Sequence, residues 1–542
     1  MSRPIAIYLL LGSLILSACT SAPLTRPTGW SVPEVLVAPS SFNGVHGLAV
    51  DSKGRLLAGS VLGSSLWEVD RKTGAARVMV PAPEGQADDI AVGLNGELAW
   101  TNYLMGTIRY RANDTAPLRV LAKDLPGINS LDFDRRNGKL YASQVFLGDA
   151  LWEIDVAGIL APRLIKKDLG GFNGFEVGSD GMLYGPLWFK GQVVKINPTN
   201  GDVTAINSEF KTPAAANLDG KGNLWVVDAK TGELCRVELA TGRKTVVKQL
   251  KPALDNLAIS PEGTIYVSNM ADNSIEVYNP ASGELSLLTG GKLAVPAGLK
   301  VDGEDLWVAD VFGFRRVNTK TGAVQDVFRM QASDLEYPFA VGLSATHFAL
   351  TSWFTGTVQL VERSTLKTSV TLHGLKAPFD AIPLADGSVV YAEIATGSIT
   401  RASGDKFANK KMITEGLAGP VQMVMGKDGA LYVTEAAGKL IRVSLTDGTK
   451  TTVAEGLALP EGLAQTPWGS FIVAESAAKR LVEIDPSNGS RRSVAENLPI
   501  GLVGGPGMPP PYVVTGVAVG ADGSIYMSAD LNNAIYRIRP QR

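Results

Sequence analysis

From residue 44 to the end of the chain, short apolar runs alternate with turns rich in Gly, Asn and Asp, and one arrangement of them keeps returning. Residues 44–70, GVHGLAVDSKGRLLAGSVLGSSLWEVD, show it first: an apolar run, a Gly turn, a second run, a loop, and a third run ending at Asp70. Period-2 alternation, β-branched residues and frequent turns predict strands throughout, and no segment sustains a helical period. Aligned on the first run and its turn, the chain holds twelve units. They open with VHGLAVDSKG, ADDIAVGLNG, INSLDFDRRNG, FNGFEVGSDG, AAANLDGKG, LDNLAISPEG, PAGLKVDGED, PFAVGLSAT, FDAIPLADG, PVQMVMGKDG, PEGLAQTPWG and VTGVAVGADG. Most continue with a β-rich run such as LYVTE or IYVSN, then a third such as LWEID, and many add a fourth such as TKTTVAEGL.

Four strands in about 42 residues is the size of one β-propeller blade. A single blade cannot bury both of its faces, whereas blades set around an axis can. The pattern therefore predicts an all-β chain of two tandem six-bladed β-propellers, over residues 32–281 and 282–542. The last unit stops after three strands, and a lone strand at residues 32–38 precedes the first. An unpaired edge strand is a liability. Residues 32–38 are accordingly expected to close the first ring on the sixth unit, and residues 283–289 to close the second ring on the twelfth. The other pairing, residues 32–38 on the twelfth unit, would knit the termini together and move the boundary to about residue 295. A Pro/Gly insertion, PIGLVGGPGMPPP at residues 499–511, is expected to cap one face of the second ring.

Composition then narrows the setting. A chain of 542 residues exceeds one ordinary domain, and 45% hydrophobic with 19% charged residues is globular. A net charge of −2 without any basic block excludes nucleic acid as a partner. Residues 1–19 read as a signal peptide, with Arg3 ahead of an apolar run at residues 5–16 that is short for a membrane span. Its end, Leu16-Ser17-Ala18-Cys19, resembles the lipobox of bacterial lipoproteins. That resemblance implies lipidation of Cys19 and a tether over residues 20–31. Because Thr20 rather than Asp follows the Cys, it also implies the periplasmic face of the outer membrane, with the anchor as the only membrane contact. Cys235 then has no partner, which excludes a disulfide framework and a thiolate metal site, and it is expected to be a buried apolar residue.

Candidate chemistry follows from the ring geometry. The first strand of each propeller blade lines the central channel, its first residues lie at one mouth, and the loop after the second strand opens on the same face. In units one to six the mouth residues are His46, Asp88, Asn129, Asn173, Ala214 and Asp255, with Asp89 and Asn256 adjacent. In units seven to twelve they are Ala297, Phe339, Asp380, Val421, Glu461 and Thr515. Only the first set is predominantly polar. Converging carboxylates need a counter-ion. Asp and Asn oxygens suit a hard cation such as Ca²⁺, and a single His serves Zn²⁺ poorly. Asn102, Tyr103, Gln144, Trp188, Phe189, Asp228 and Asn269 follow second strands and are placed to line a substrate pocket. Glu393, Glu435 and Glu475, after VVYAE, LYVTE and FIVAE, recur at one repeat position, which suggests bonding of loop amides. No Gly-x-Ser-x-Gly elbow and no phosphate-binding Gly loop is present. Polar residues can also simply be solvated in a water-filled channel, which leaves a non-catalytic scaffold open.

The repeat resembles the six-bladed superfamily of senescence-marker-protein/gluconolactonase-like and paraoxonase-like enzymes. FNGFEVGSDG, with Asn173, resembles the Asn-Gly opening that supplies a metal ligand in those enzymes. LDNLAISPEG, with Asp255 and Asn256, looks like the Asp-Asn pair of paraoxonase calcium sites, and Asn129 matches a third Asn ligand. VHGLAV, with His46, resembles the opening that carries a paraoxonase active-site His. The resemblance implies a divalent cation on Asn129, Asn173, Asp255 and Asn256, with Ca²⁺ ahead of Zn²⁺ or Mg²⁺. It implies hydrolysis of a small-molecule lactone or ester, with His46 as base and Asp88 or Asp89 as the alternative. The N-terminal Glu ligand of the family has no counterpart, since His46 occupies that unit, and Ala214 stands where gluconolactonase-like enzymes have Asp. Two other functions stay open: a non-catalytic envelope propeller that binds protein or glycan, and a propeller-type lyase.

Overall fold

The computed structural model describes residues 24–542, so the signal peptide and Cys19 lie outside the described residues. Twelve four-stranded antiparallel sheets follow one another along the chain. Helix among the described residues is confined to three 3₁₀ turns, Trp188–Lys190, Asp405–Phe407 and Ser476–Ala478. In blade 2 the strands Ala87–Val92, Leu98–Asn102, Thr107–Arg111 and Arg119–Ala122 pair in sequence order. Second strands such as Leu56–Ser60, Leu98–Asn102 and Ile265–Asn269 are buried along their whole length. Neighbouring blades cover both of their faces, so they read as unbroken apolar and small residues rather than alternating ones. Outer strands such as Arg163–Lys167 stand largely in solvent and carry charge.

The blades close two rings. Leu48, Leu56 and Val69 of blade 1 share a core with Ala258, Tyr266 and Ile275 of blade 6. Leu299, Leu306 and Val317 of blade 7 do the same with Ala518, Tyr526 and Ile535 of blade 12. The chain is thus a pair of tandem six-bladed β-propellers, as the repeat predicts.

The closure differs from the expected one. The strand Glu34–Val37 pairs with Ala534–Ile538 in the last blade, not with the sixth. Glu284–Thr289 pairs with Ser274–Asn279 and completes the sixth blade instead of the twelfth. The reason is an edge count: blade 6 has four strands of its own, while the last blade has three and an open edge. A short pair, Gly29–Trp30 with Pro540–Gln541, ties the termini further. The chain therefore crosses between the rings twice, at residues 38–47 and at residues 290–295.

The rings meet through their mouth faces. Leu62, Met270 and Ala271 of the first ring form one cluster with Val311, Phe312, Phe339 and Tyr512 of the second. Gly44, at φ +74°, lies flat against Phe312, and a Cβ there would stand 2.2 Å from the ring. Only Gly permits both that conformation and that approach. Polar contacts pin the crossings. Asn43 Nδ2 donates to the Asp530 carbonyl and to Asn533 Oδ1, both at 2.7 Å, and Asn273 Oδ1 accepts from the Gly44 N–H at 2.9 Å. Arg329 of blade 7 donates to the Pro252 carbonyl at 2.8 Å, to Asn269 Oδ1 at 2.9 Å and to both Asp272 oxygens at 2.8 Å, all in blade 6. The insertion at residues 499–511 reaches the first ring: Gly505 abuts Met105, and Leu502 and Met508 pack on the inter-ring cluster.

Candidate functional site at the mouth of the first ring

The first strands of blades 2, 3, 5 and 6 each carry a register shift beside their mouth residues, at Ala87/Ile90, Ile128/Ser130, Pro213/Ala215 and Leu254/Leu257. A bulge sets two residues against one partner and re-aims their side chains. The second residue of each pair turns to its neighbours in the channel wall. Asp89 Oδ2 accepts from Ser130 Oγ at 2.5 Å and from the Leu131 N–H at 3.3 Å, and its Oδ1 accepts from the Ile90 N–H at 2.9 Å and from Asn256 Nδ2 at 3.1 Å. Asn256 Oδ1 accepts from the Leu257 N–H at 2.7 Å. Both side chains are thus spent in the wall. Burial, partly offset by these bonds, pushes the Asp89 carboxyl up to about 7. In blade 1 the same position is Gly47, where a Cβ would meet the Asp88 carbonyl at 2.5 Å. The Gly of the His-Gly opening is there for blade packing.

The first residue of each pair forms the mouth. Blades 6, 1 and 2 are consecutive around the ring, so Asp255, His46 and Asp88 form one arc, continued by Asn129 and Asn173. His46 is 6% exposed, and its Nδ1 lies 2.9 Å from the Gly44 carbonyl. A carbonyl only accepts, so Nδ1 carries the proton and Nε2 presents a lone pair. Among the described residues Nδ1 is the ring nitrogen that is hydrogen-bonded. Burial lowers the His46 pKa to about 4, against the smaller opposing effect of the Gly44 bond, which keeps the ring neutral. Its ring meets Phe312 of the second propeller edge-on at 5.5 Å.

Asp88 and Asp255 keep some accessible surface although they sit deep between the rings. Burial raises both carboxyls. Asp88 is raised further by the charges of Asp255 and Asp89, against the favourable Asn129 amide, and Asp255 by the charge of Asp89. No Lys or Arg side chain offsets either one among the described residues. Two phenols complete this corner. Burial, then the charges of Asp255 and Asp88, raises Tyr337 of the second ring to about 12. Tyr103 is raised by burial and by Asp88 and Tyr337. Both therefore remain hydrogen-bond donors.

The oxygens of Asp88, Asp255 and Asn129 have the hard character that Ca²⁺ takes. Asn173 Oδ1 already accepts from the Gly174 N–H at 3.0 Å and retains one lone pair, while Asn256 has both ends occupied. Among the described residues no three His, Cys, Asp or Glu side chains gather at metal-binding distance. With Asn256 spent in the wall, the oxygen-bearing side chains left at the mouth are those of Asp88, Asp255, Asn129 and Asn173.

The other candidate residues divide in two. Tyr103 lies at the mouth, beside Asp88. Trp188 and Phe189 follow the second strand of blade 4, where both meet Phe146 edge-on, at 5.3 and 5.7 Å, and Phe189 stands largely in solvent. Asn102, Gln144, Asp228 and Asn269 hold loop backbone instead. Asn102 Nδ2 donates to the Pro83 carbonyl at 3.3 Å, and Gln144 Nε2 to the Pro126 carbonyl at 2.9 Å. Asp228 accepts from the Lys211 N–H at 2.7 Å, and Asn269 Nδ2 reaches the Pro252 carbonyl at 3.2 Å. Glu393, Glu435, Glu475 and Asp530 repeat this clamp in the second ring, accepting from the N–H groups of Lys376, Ala418, Ala458 and Leu502 at 2.6, 2.9, 2.8 and 2.7 Å. Cys235 is fully buried and unpaired.

The second ring has a different mouth. Asp380 sits one residue further in than expected, matching Asp89: its oxygens accept from the Ala381 and Met423 N–H groups at 2.9 and 2.8 Å. Phe379 takes the mouth position and packs with Val421 and Val514. What the sequence did not reveal is that this aromatic face lies against the polar mouth of the first ring. Phe312, Tyr337 and Trp353 are visible as aromatics after or before strands, but no local pattern says what they face.

No family model matches the chain, and no curated relative does. Solved structures similar to it include virginiamycin B lyase from Staphylococcus aureus, at 16% identity and TM-score 0.27, covering 60% of this chain and 94% of that one. An extracellular domain from B. thetaiotaomicron is 12% identical with TM-score 0.32, over 95% of this chain and 84% of that one. The tricorn protease is 12% identical with TM-score 0.37, over 92% and 61%.

Proposed function

We propose that the mouth of the first propeller binds a divalent cation, Ca²⁺ before Zn²⁺ or Mg²⁺, and hydrolyses a small lactone or ester there. The observation that carries this reading is the arc of Asp255, His46 and Asp88: two enclosed carboxylates without a cationic side chain, flanking a neutral imidazole whose Nε2 presents a lone pair. Asp88, Asp255, Asn129 and Asn173 would hold the cation. When bound, it neutralises the carboxylates and polarises the substrate carbonyl.

The chain's own groups supply the rest. His46 Nε2 takes a proton from water as the water oxygen adds to the carbonyl carbon, and returns it to the departing alkoxide when the C–O bond breaks. The Gly44 carbonyl holds the imidazole in the tautomer this requires. Tyr103 and Tyr337 keep their protons and can donate to substrate oxygens. The enclosing second ring limits water and strengthens each of these interactions. The chain is further proposed to work in the cell envelope, anchored through lipidated Cys19; fatty-acid labelling that survives Cys19→Ser contradicts the anchor.

The experiment is a panel of lactones and simple esters assayed with and without chelator. Turnover that is abolished by chelator, restored by Ca²⁺ and reduced at least ~100-fold by His46→Ala is the expected result. Full activity in chelator, or in His46→Ala, contradicts the mechanism.

A further inference from the structure

The function proposed for the first ring leaves the aromatic face of the second unexplained. Phe312 is 2% exposed and packs on His46. Tyr337 meets Phe312 at 6.1 Å and Phe354 at 5.6 Å, and Trp353 meets Phe339 at 5.1 Å and Phe354 at 6.0 Å. Core aromatics at this position would be fully covered, as Phe339 is at 1%. Instead Tyr337 and Trp353 are only half-buried and Phe354 is 37% exposed. Three adjoining rings thus keep free apolar surface beside a polar mouth, and Tyr337 lies close enough to Asp255 and Asp88 to feel their charges.

We propose that Tyr337, Trp353 and Phe354 form the substrate-recognition wall of the first ring's site, selecting esters or lactones that carry a planar apolar group, such as a phenyl ring, on the acyl side. The inference rests on the hydrolase reading for the reacting bond, but the wall itself is a binding property. The first ring supplies polar groups to the carbonyl end, and the second ring supplies edge-to-face and stacking partners to the other. Apolar surface beside a few convergent polar groups is what small-molecule sites share. The second propeller is then half of the site rather than an appendage.

The test uses the full-length protein and two esters of equal intrinsic reactivity, ethyl 3-phenylpropanoate and ethyl propanoate. Wild type should favour the phenyl ester at least ~10-fold in kcat/KM, with the difference in KM, which corresponds to about 1.4 kcal/mol. Phe354→Ala and Tyr337→Ala should bring the ratio to ~2 or below, and Tyr337→Phe should retain it. A ratio taken within one variant does not depend on how much of that variant is folded. Calorimetric titration of His46→Ala with the same two esters reads binding without turnover. Phenyl-selective binding that needs Tyr337 and Phe354, with no hydrolysis by wild type, keeps the wall and overturns the hydrolase reading. Hydrolysis with a ratio near one, unchanged by Tyr337→Ala and Phe354→Ala, overturns the wall and keeps the hydrolase. Binding of neither ester overturns both.

Discussion

Asp255→Asn should stabilise the chelated protein at alkaline pH and remove its response to Ca²⁺. The substitution keeps the side-chain shape and deletes one charge from the arc around His46. Burial and the Asp89 charge hold the Asp255 carboxyl at about 8, against an ordinary 3.8. At about 1.4 kcal/mol per unit, the ceiling on the penalty for its charged form is about 6 kcal/mol. Water at the mouth and sharing of the repulsion with Asp88 cut that to roughly 2–3 kcal/mol. The sign follows from proton linkage. The folded state binds this proton more tightly than the unfolded state, so the contribution is fully present below about pH 4 and is lost as pH rises toward 8. Urea unfolding in chelator, at about pH 5 and about pH 8, gives the stability of each form. Wild type should lose about 2–3 kcal/mol more than Asp255→Asn between those two conditions, and Ca²⁺ should restore wild type only. An Asp255→Asn variant that is less stable than wild type in chelator at pH 8, or that keeps the wild-type pH slope, refutes the idea of an uncompensated carboxylate pair.

Four further outcomes follow from named contacts. With His46 held at about 4, the acidic limb of the pH–kcat/KM profile of any hydrolysed ester should fall well below pH 6, where an ordinary histidine would put it; a limb at 6 to 7 contradicts the buried, neutral ring. Arg329→Met leaves Asp272 only the longer Lys251 contact at 3.5 Å and should cost about 2–3 kcal/mol, with the single unfolding transition splitting into two as the rings uncouple; an unchanged transition means the clamp is idle. Gly44→Ala drives a Cβ into Phe312 and should lower stability by about 2 kcal/mol or more in thermal unfolding, whereas an unaltered Tm means the rings do not approach there. Asp530→Ala frees the Gly501 and Leu502 amides, so limited proteolysis should cut residues 499–511 at least ~10-fold faster than in wild type, and equal rates argue against the clamp.

The fold could be read from the chain because each blade repeats the same compromise: a first strand that lines the channel and ends in a Gly-rich turn, a second strand covered on both faces, and a polar outer strand. The mouth ring was readable for the same reason, since His46, Asp88, Asn129, Asn173 and Asp255 share one repeat position. Register was harder where the bulge sets two residues against one partner, and this is how Asp380 stood in for Phe379. The closing strand was ambiguous because residues 32–38 and 283–289 are equally strand-like, and only the edge count in space decides between them. The loop clamp was legible in Glu393, Glu435 and Glu475, where one residue type repeats. It was hidden in Asn102, Gln144, Asp228 and Asn269, where amides and carboxylates do the same work with different atoms. The facing of the two mouths left no local trace at all. It depends on Gly44, Arg329 and Phe312 meeting partners far away in the sequence.

If the arc of Asp255, His46 and Asp88 is a cation site, isothermal titration of the purified, chelator-stripped protein with CaCl₂ will show it. One Ca²⁺ per chain should bind saturably, and binding should be lost in both Asp88→Asn and Asp255→Asn while those variants remain folded by circular dichroism. No saturable binding at about 1 mM Ca²⁺, a regime in which weak protein calcium sites already fill, or binding undiminished in both variants, contradicts it.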